Sequence, residues 1–169
     1  PKEYDISAIC TYWNMGNLDD RRGFYTGIIQ NKYAQPELGG RSYITPGKDY
    51  YLQADIYAKS KIVWNYSPCG FDVLNFRTFE AMITGSCLLM NKMTSKSMSY
   101  LGYEDGVDYV TYDDDGSGDK LLIYIDILLK DDAMRESIST NGYKKTKEHH
   151  TMRHRMEAVV DYMERAKNV

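Results

Sequence analysis

Apolar residues recur along this chain in two patterns, as short alternating or continuous runs and as longer stretches at helical spacing. The short runs are rich in β-branched and aromatic residues, which favours strands. The helical spacing indicates helices that each bury one face. The predicted strands are 4–12, 42–45, 62–66, 87–90 and 107–112. The predicted helices are about 20–31, 48–59, 75–84, 121–129, 132–149 and 151–166, with one short helical turn within 92–106.

This alternation of strands and helices predicts an α/β fold, a Rossmann-like three-layer domain with a mostly parallel sheet covered on both faces. The 169 residues fit a single domain, 1–169, with C-terminal helices over about 117–166. Five apolar residues share one side of the last helix: Met152, Met156, Val159, Val160 and Met163. Because ligands of such sheets bind at the carboxyl ends of the strands, loops 14–22, 67–77 and 91–95 are expected at one edge.

Composition and charge argue against several classes of function. The chain is 43% apolar and 27% charged, with a net charge of −3, which is typical of an ordinary globular protein and gives no reason to expect a nucleic-acid partner. The basic cluster within 144–155 is diluted by acidic residues and spread over two helices, which favours a solvated face. No apolar run is long enough to span a membrane, and the chain does not begin with a signal-peptide pattern.

Histidine and cysteine spacing gives no metal site. His150 and His154 lie one helical turn apart, but no Cys or acidic third ligand stands at helical spacing beside them. The cysteines, Cys10, Cys69 and Cys87, are odd in number and lack metal-ligand spacing. Free cysteines favour a reducing compartment, so a cytoplasmic location is expected.

The stretch 72–90 concentrates the candidate chemistry. It predicts a loop, a short helix, a sharp stop at Gly85 and a buried strand over 87–90. A loop that leads into a helix N-terminus presents backbone N–H groups to an anion, and the helix dipole favours negative charge there. Arg77 and Glu80 lie three residues apart, so they share one face of this helix.

The polar residues of this stretch have a functional interpretation and a structural one. Arg77 offers a planar set of donors suited to phosphate, and Glu80 could accept two ribose hydroxyls. Asp72 offers a second acceptor on the loop. Equally, an acidic residue early in a helix often only complements the dipole, and an Arg three residues away is often its surface partner. Spacing alone leaves both interpretations open.

The segment FRTFEAMITG, followed by an apolar strand, resembles the donor-binding signature of GT-B glycosyltransferases. That signature places an acidic residue and seven others before Glu-Ala-Met, so Asp72 and Glu80 fall at its two acidic positions. Asp72 replaces the more usual Glu. An Arg three residues before the second acid, here Arg77, is more particular to the group 1, spore-maturation-type branch. The resemblance covers about residues 50 to 165, and the terminal Gly, His-Thr and Arg pattern of the family corresponds to Gly142, His150, Thr151 and Arg155.

The resemblance also implies a donor-binding loop after the first strand. The segment GNLDDRRG is similar to the family's arrangement of Gly, a basic residue, Leu and a later Lys-Gly. On that match Gly16 takes the Gly position and Arg22 the Lys position, whereas Asn17 replaces the other basic residue. Two Arg residues after two Asp residues are explained equally well by a solvated helix start.

The resemblance therefore implies the nucleotide-sugar-binding, C-terminal half of a GT-B glycosyltransferase, an enzyme of glycosyl transfer (EC 2.4 class). Arg77 and Glu80 are the expected catalytic residues. The expected donor-binding residues are Gly16, Asn17, Arg22, Asp72, Asn75, Phe76, Arg77 and Glu80. Fixed positive charge would stabilise the departing nucleoside diphosphate, so neither a metal nor another cofactor is expected.

The expected partners are a nucleotide-sugar donor, an acceptor of unknown kind, and a second, N-terminal Rossmann domain or partner subunit, since 169 residues cannot hold two such domains. Two other classes stay open. One is a sugar-nucleotide epimerase-like enzyme on the same fold. The other is a non-catalytic α/β interaction module in which Arg77 and Glu80 form a structural bridge.

Overall fold

The computed structural model of the chain describes residues 1–9, 22–33, 42–45, 50–67, 74–92 and 95–167. Its strands are β1 (Tyr4–Ile9), β2 (Ser42–Thr45), β3 (Ser60–Asn65), β4 (Cys87–Asn91) and β5 (Val110–Tyr112). Its helices are α1 (Arg22–Tyr33), α2 (Tyr50–Ala58), α3 (Phe76–Ile83), α4 (Ser95–Tyr100), α5 (Asp119–Lys130), α6 (Asp132–His149) and α7 (Met152–Lys167).

The strands form one parallel sheet in the order β2-β1-β3-β4-β5. The register pairs Ile6 with Ile62 between β1 and β3, and Val63 with Leu88 between β3 and β4. Since all pairings are parallel, the carboxyl ends of the strands lie at one edge of the sheet. The predicted α/β fold with a mostly parallel sheet is therefore confirmed.

Helices cover both faces of the sheet and build two apolar layers. On one face, Tyr25 and Ile29 of α1 pack with Leu121 and Ile125 of α5. On the other face, the buried residues come from α2, α3 and α4: Ile56, Tyr57, Ala81, Met82 and Met98. Strand β4 is buried along its whole length, because Cys87 and Leu89 face the first layer and Leu88 and Met90 face the second. A continuous apolar run is what such a two-sided position requires.

The last predicted strand differs from the observed one. It was expected over 107–112, but β5 begins only at Val110, because Val107 lies in an exposed turn. The predicted last helix is observed as α7, which has no buried residue and whose apolar residues are about half exposed. The last three residues of the predicted first strand, 10–12, lie outside the described residues.

The stop between α3 and β4 confirms the role predicted for Gly85. This residue has φ of +73°, a left-handed conformation that favours glycine, and its N–H donates to the carbonyl of Met82 at 3.0 Å. The short turn sets the amino end of α3 at the carboxyl edge of the sheet, where a ligand of a parallel sheet would bind.

Helix α6 packs closely against the loop before β5, and Gly142 makes that approach possible. A Cβ added at Gly142 would lie 2.3 Å from the backbone carbonyl oxygen of Asp108 and 3.4 Å from the sulfur of Met82. Asp108 is itself buried. Its carboxylate forms an ion pair with the ammonium group of Lys145, which lies on the next turn of α6. The small residue therefore fixes the position of α6 beside α3.

We expect Gly142→Ala to destabilise the fold by about 1–3 kcal/mol, because the clash is with backbone, which moves only at a cost in packing. The matched control is Gly27→Ala in α1, where an added Cβ meets nothing within 4 Å. That variant is expected to gain up to about 1 kcal/mol, since alanine favours helix over glycine. Urea unfolding of both variants measures the difference, and equal free energies of unfolding would contradict the prediction.

Candidate functional site

The carboxyl end of β3 carries a buried asparagine that joins the strand to the start of α3. The Asn65 side chain donates to Asn75 Oδ1 at 3.0 Å and to Thr78 Oγ1 at 3.1 Å. Asn75 Nδ2 donates back to Asn65 Oδ1 at 3.2 Å. Asn65 is 3% exposed, so these bonds satisfy an amide that water does not reach. The pair fixes where α3 begins relative to the sheet.

A second asparagine ends β4 in the same way. The N–H of Ser67 donates to Asn91 Oδ1 at 2.8 Å, and Asn91 Nδ2 donates to the carbonyl of Ser67 at 2.9 Å. Asn91 is fully buried. The chain that leaves β3 is therefore held against β4 as it enters the loop toward α3, which keeps the carboxyl ends of the two central strands together.

The amino end of α3 is suited to an anion. Asn75 is the N-cap residue, but its side chain makes no hydrogen bond to the first helical turn and is used for Asn65 instead. Its backbone is extended, with φ of −93° and ψ of 164°. Phe76 is the first helical residue and is 69% exposed. Arg77 follows, with Nε placed 3.5 Å from Asn65 Oδ1. A guanidinium thus stands beside a helix N-terminus, and both favour negative charge.

Glu80 lies one turn further along α3 and is half-buried. It accepts a hydrogen bond from Gln53 Nε2 of α2. Burial raises the pKa of Glu80 above its usual value, opposed by the positive charge of Arg77 and by the Gln53 bond. A carboxyl in this setting can accept hydrogen bonds from the hydroxyl groups of a ligand.

Arg77 and Glu80 do not form a direct ion pair with each other. The Arg77 side chain contacts Asn65, and the Glu80 carboxyl is hydrogen-bonded to Gln53. The positive charge of Arg77 therefore opposes the rise that burial causes in the pKa of Glu80, without direct contact between the two side chains. The structural bridge required by the interaction-module alternative is therefore absent between these two described residues. Both side chains keep donor or acceptor capacity for a ligand.

A cleft runs along α3 where the chain turns from α6 into α7. It has a volume of about 210 Å³, and we call it the α3–α7 cleft. Its lining residues are Phe76, Phe79, Glu80, Ile83, Thr146, His150, Thr151, Met152 and Arg155. Glu80 therefore faces an opening rather than the interior of the domain, as a ligand-binding carboxylate must.

Of the other site residues predicted from sequence, the structure describes only some. Arg22 is the first residue of α1 and is 8% exposed, so its side chain is largely covered. Gly16, Asn17 and Asp72 lie outside the described residues. The structure thus brings Asn75, Phe76, Arg77 and Glu80 together on α3 and leaves their role in donor binding as a prediction.

Sequence analysis missed Asn65 and Gln53 as members of this site. Asn65 ends an apolar strand, and a polar amide at the end of a buried run is the signal that marks it. Gln53 had no comparable signal, because its contact with Glu80 joins two helices 27 positions apart in sequence.

In the described ranges, no group of three or more His, Cys, Asp or Glu side chains is placed to hold a metal ion. Nor is any described helix long and apolar enough to cross a membrane.

Solved glycosyltransferase structures share this fold. The C-terminal domain of the glycosyl transferase group 1 family protein LpcC from Francisella tularensis has a TM-score of 0.60 at 14% identity, over 90% of this chain and 88% of that one. A glycosyltransferase from Rickettsia africae has a TM-score of 0.67 at 10% identity, over 100% of this chain and 50% of that one. HepE from Anabaena in complex with UDP has a TM-score of 0.59 at 12% identity, over 85% of this chain and 44% of that one.

These similarities define the fold as that of the C-terminal domain of GT-B glycosyltransferases. The chain spans half or less of the length of the Rickettsia and Anabaena proteins. The sequence profile of the glycosyl transferase-like family matches residues 37–161, so the chain belongs to that family. No curated protein sequence matches it significantly.

The environment of Glu80 predicts a pH-dependent gain of stability in Glu80→Gln. Burial raises the pKa of Glu80 in the fold, so ionisation as pH rises through that value destabilises the folded state. The variant is expected to melt at a higher temperature than the parent chain at pH 7. This advantage should vanish below about pH 4, where the unfolded carboxyl is protonated too.

Thermal unfolding between pH 3.5 and pH 8 measures this effect. Glu136→Gln, an exposed position on α6, is the control for loss of one carboxylate. A difference between Glu80→Gln and the parent chain that stays constant across the whole pH range would show that charge at Glu80 is not its cause.

Proposed function

We propose that this chain is the donor-binding domain of a GT-B glycosyltransferase and binds a nucleoside-diphosphate sugar. The observation that carries the proposal is the grouping of Asn75, Arg77 and Glu80 on α3, whose amino end lies at the carboxyl edge of the sheet. This grouping falls within the residues that match the family. HepE, which shares the fold, has been solved with UDP and with UDP-glucose. UDP-sugars are therefore the first donors to test.

Each of these residues has a defined task in the proposal. Glu80 accepts hydrogen bonds from the ribose hydroxyls of the donor, since it is an acceptor that faces the α3–α7 cleft. Arg77 and the first-turn amides of α3 meet the diphosphate. Arg22, the first residue of α1, and Gly16, Asn17 and Asp72 are the further donor-binding residues of the proposal, and Phe76 borders the site with its exposed ring.

The chemical task is to stabilise a departing nucleoside diphosphate while an oxocarbenium-like sugar centre is attacked. Fixed donors aimed at the developing charge lower this barrier because they need no reorganisation during the reaction. Arg77 and the α3 amino end supply such charge, so we infer that transfer needs no metal. The reaction class is glycosyl transfer (EC 2.4).

Several wider proposals follow from this function. Acceptor contacts come from a second Rossmann domain or a partner subunit, which agrees with the greater length of the related proteins. We treat 1–169 as one donor-binding domain that turns over poorly by itself. Arg77, three residues before Glu80, supports membership of the spore-maturation-type branch. The free, buried thiol of Cys87 is compatible with a cytoplasmic location.

A thermal-shift screen of nucleoside diphosphates tests the proposal. A ligand present at 100 times its dissociation constant adds about 2.7 kcal/mol to the stability of the fold. We expect UDP or another nucleoside diphosphate to raise the melting temperature of the parent chain. Glu80→Ala is expected to abolish that rise, because it removes the acceptor for the ribose hydroxyls.

Glu136→Ala serves as the matched control, since it removes an exposed carboxylate from α6 and should keep the full rise. No response of the parent chain to any nucleoside diphosphate would refute donor binding. A full response in Glu80→Ala would refute the assignment of the ribose contact alone.

A further inference from the structure

Arg155, on the second turn of α7, is held against α3 in an unusual way. Its guanidinium carbon lies 4.3 Å from the centre of the Phe79 ring. Its Nη2 atom is buried and, among the residues that the structure describes, finds no hydrogen-bond partner. The ring thus stabilises the face of the cation, while one donor on its edge stays unsatisfied.

A buried donor without an acceptor is destabilising, and more so when it belongs to a cation. The stack on Phe79 offsets part of this through the ring quadrupole, but an aromatic face accepts no hydrogen bond of ordinary strength from Nη2. No acidic side chain of the described ranges forms an ion pair with Arg155. Because Nη2 is covered in this structure, an anionic oxygen from a ligand would supply the missing partner once the Arg155 side chain turns toward it.

The surroundings of Arg155 place that ligand in the α3–α7 cleft. Arg155 and Glu80 both line this cleft, and the Glu80 carboxyl is bonded to Gln53 rather than to Arg155. Apolar walls come from Phe76, Ile83 and Met152. These side chains are partly exposed, so a ligand seated against them would displace water from around the guanidinium and strengthen its interaction with an anion.

The cleft also reaches the amino end of α3. Phe76 and Phe79 both line it, and three residues of α-helix span only about 4.5 Å along the axis. An anion beside the first turn of α3 would therefore border the same cleft that Arg155 lines. Arg155 of α7 lines the cleft and Phe76 carries the cleft to the first turn of α3, whereas Arg77 does not line it.

We propose that Arg155 is a further donor-binding residue, whose guanidinium meets an anionic oxygen of the nucleoside diphosphate bound at the amino end of α3. This inference rests on the proposed function and adds a residue from α7 to a site otherwise built by α3 and its loops. Binding of the diphosphate then draws α7 onto α3, because the same anion contacts groups on both helices.

The test compares diphosphate and nucleoside binding in Arg155→Gln. Isothermal titration calorimetry of the 169-residue chain with UDP and uridine gives the dissociation constants of a diphosphate and of its nucleoside. Titration with GDP and guanosine gives the same pair of constants for the other base. We expect the substitution to weaken binding of the preferred diphosphate at least about tenfold, as loss of one partner of a buried charged hydrogen bond does. The nucleoside affinity should stay unchanged, because the nucleoside carries no anion.

Arg153→Gln is the matched control, since it removes the same charge from an exposed position on the same helix. Its diphosphate affinity should change by less than about threefold, as expected for a screened surface charge. Arg155→Lys keeps the charge without the planar stack and should bind diphosphate with intermediate affinity. It also serves as the test variant if Arg155→Gln does not fold.

The outcomes separate the inference from the proposed function. Unchanged diphosphate affinity in Arg155→Gln, or in Arg155→Lys if only that variant folds, overturns the role of Arg155 and leaves donor binding intact. An equal loss of diphosphate and nucleoside affinity shows a structural role and overturns it as well. If the parent chain binds no nucleoside diphosphate, the proposed function fails and the inference fails with it.

Discussion

The buried amide of Asn65 is the constraint on which the candidate site depends. It sits at the last position of β3, where backbone pairing ends, and its bonds to Asn75 and Thr78 set the start of α3. Oδ1 of the same side chain also lies 3.5 Å from Arg77 Nε. One residue therefore couples a strand whose position is fixed by the sheet to a helix that carries the chemistry. A buried amide with all its partners specifies geometry more sharply than apolar packing does.

The sheet itself could be predicted well from sequence, and its two-sided burial explains why. Strand β4 is buried on both faces, so its sequence is a continuous apolar run. Successive side chains of β3 point to opposite faces of the sheet, which leaves little freedom in its register with β4. β5 was predicted too long, because Val107 is apolar but lies in a turn that the buried Asp108 anchors. For α7 the apolar pattern predicted a helix correctly but not what covers it.

The site was predictable only where its residues are neighbours in sequence. Asn75, Arg77 and Glu80 lie within two turns of one helix, so their spacing showed that they belong together. Gln53 and Arg155 reach the same region from other helices, and no local pattern links them to α3. Their contribution depends on how α2 and α7 pack beside α3. Sequence spacing carries no information about that packing, whereas the coordinates show it directly.

The exposure of α7 has a consequence for local opening of the chain. A helix of 16 residues with no buried side chain gains little from packing, and isolated helices of this length are marginal in water. Its backbone amide hydrogens should therefore exchange with solvent deuterium much faster than those of β3 and β4, whose exchange requires the central sheet to open. The chain thus combines a slowly exchanging sheet with an exposed helix whose amides exchange faster, and a group that packs against α7 would slow that exchange.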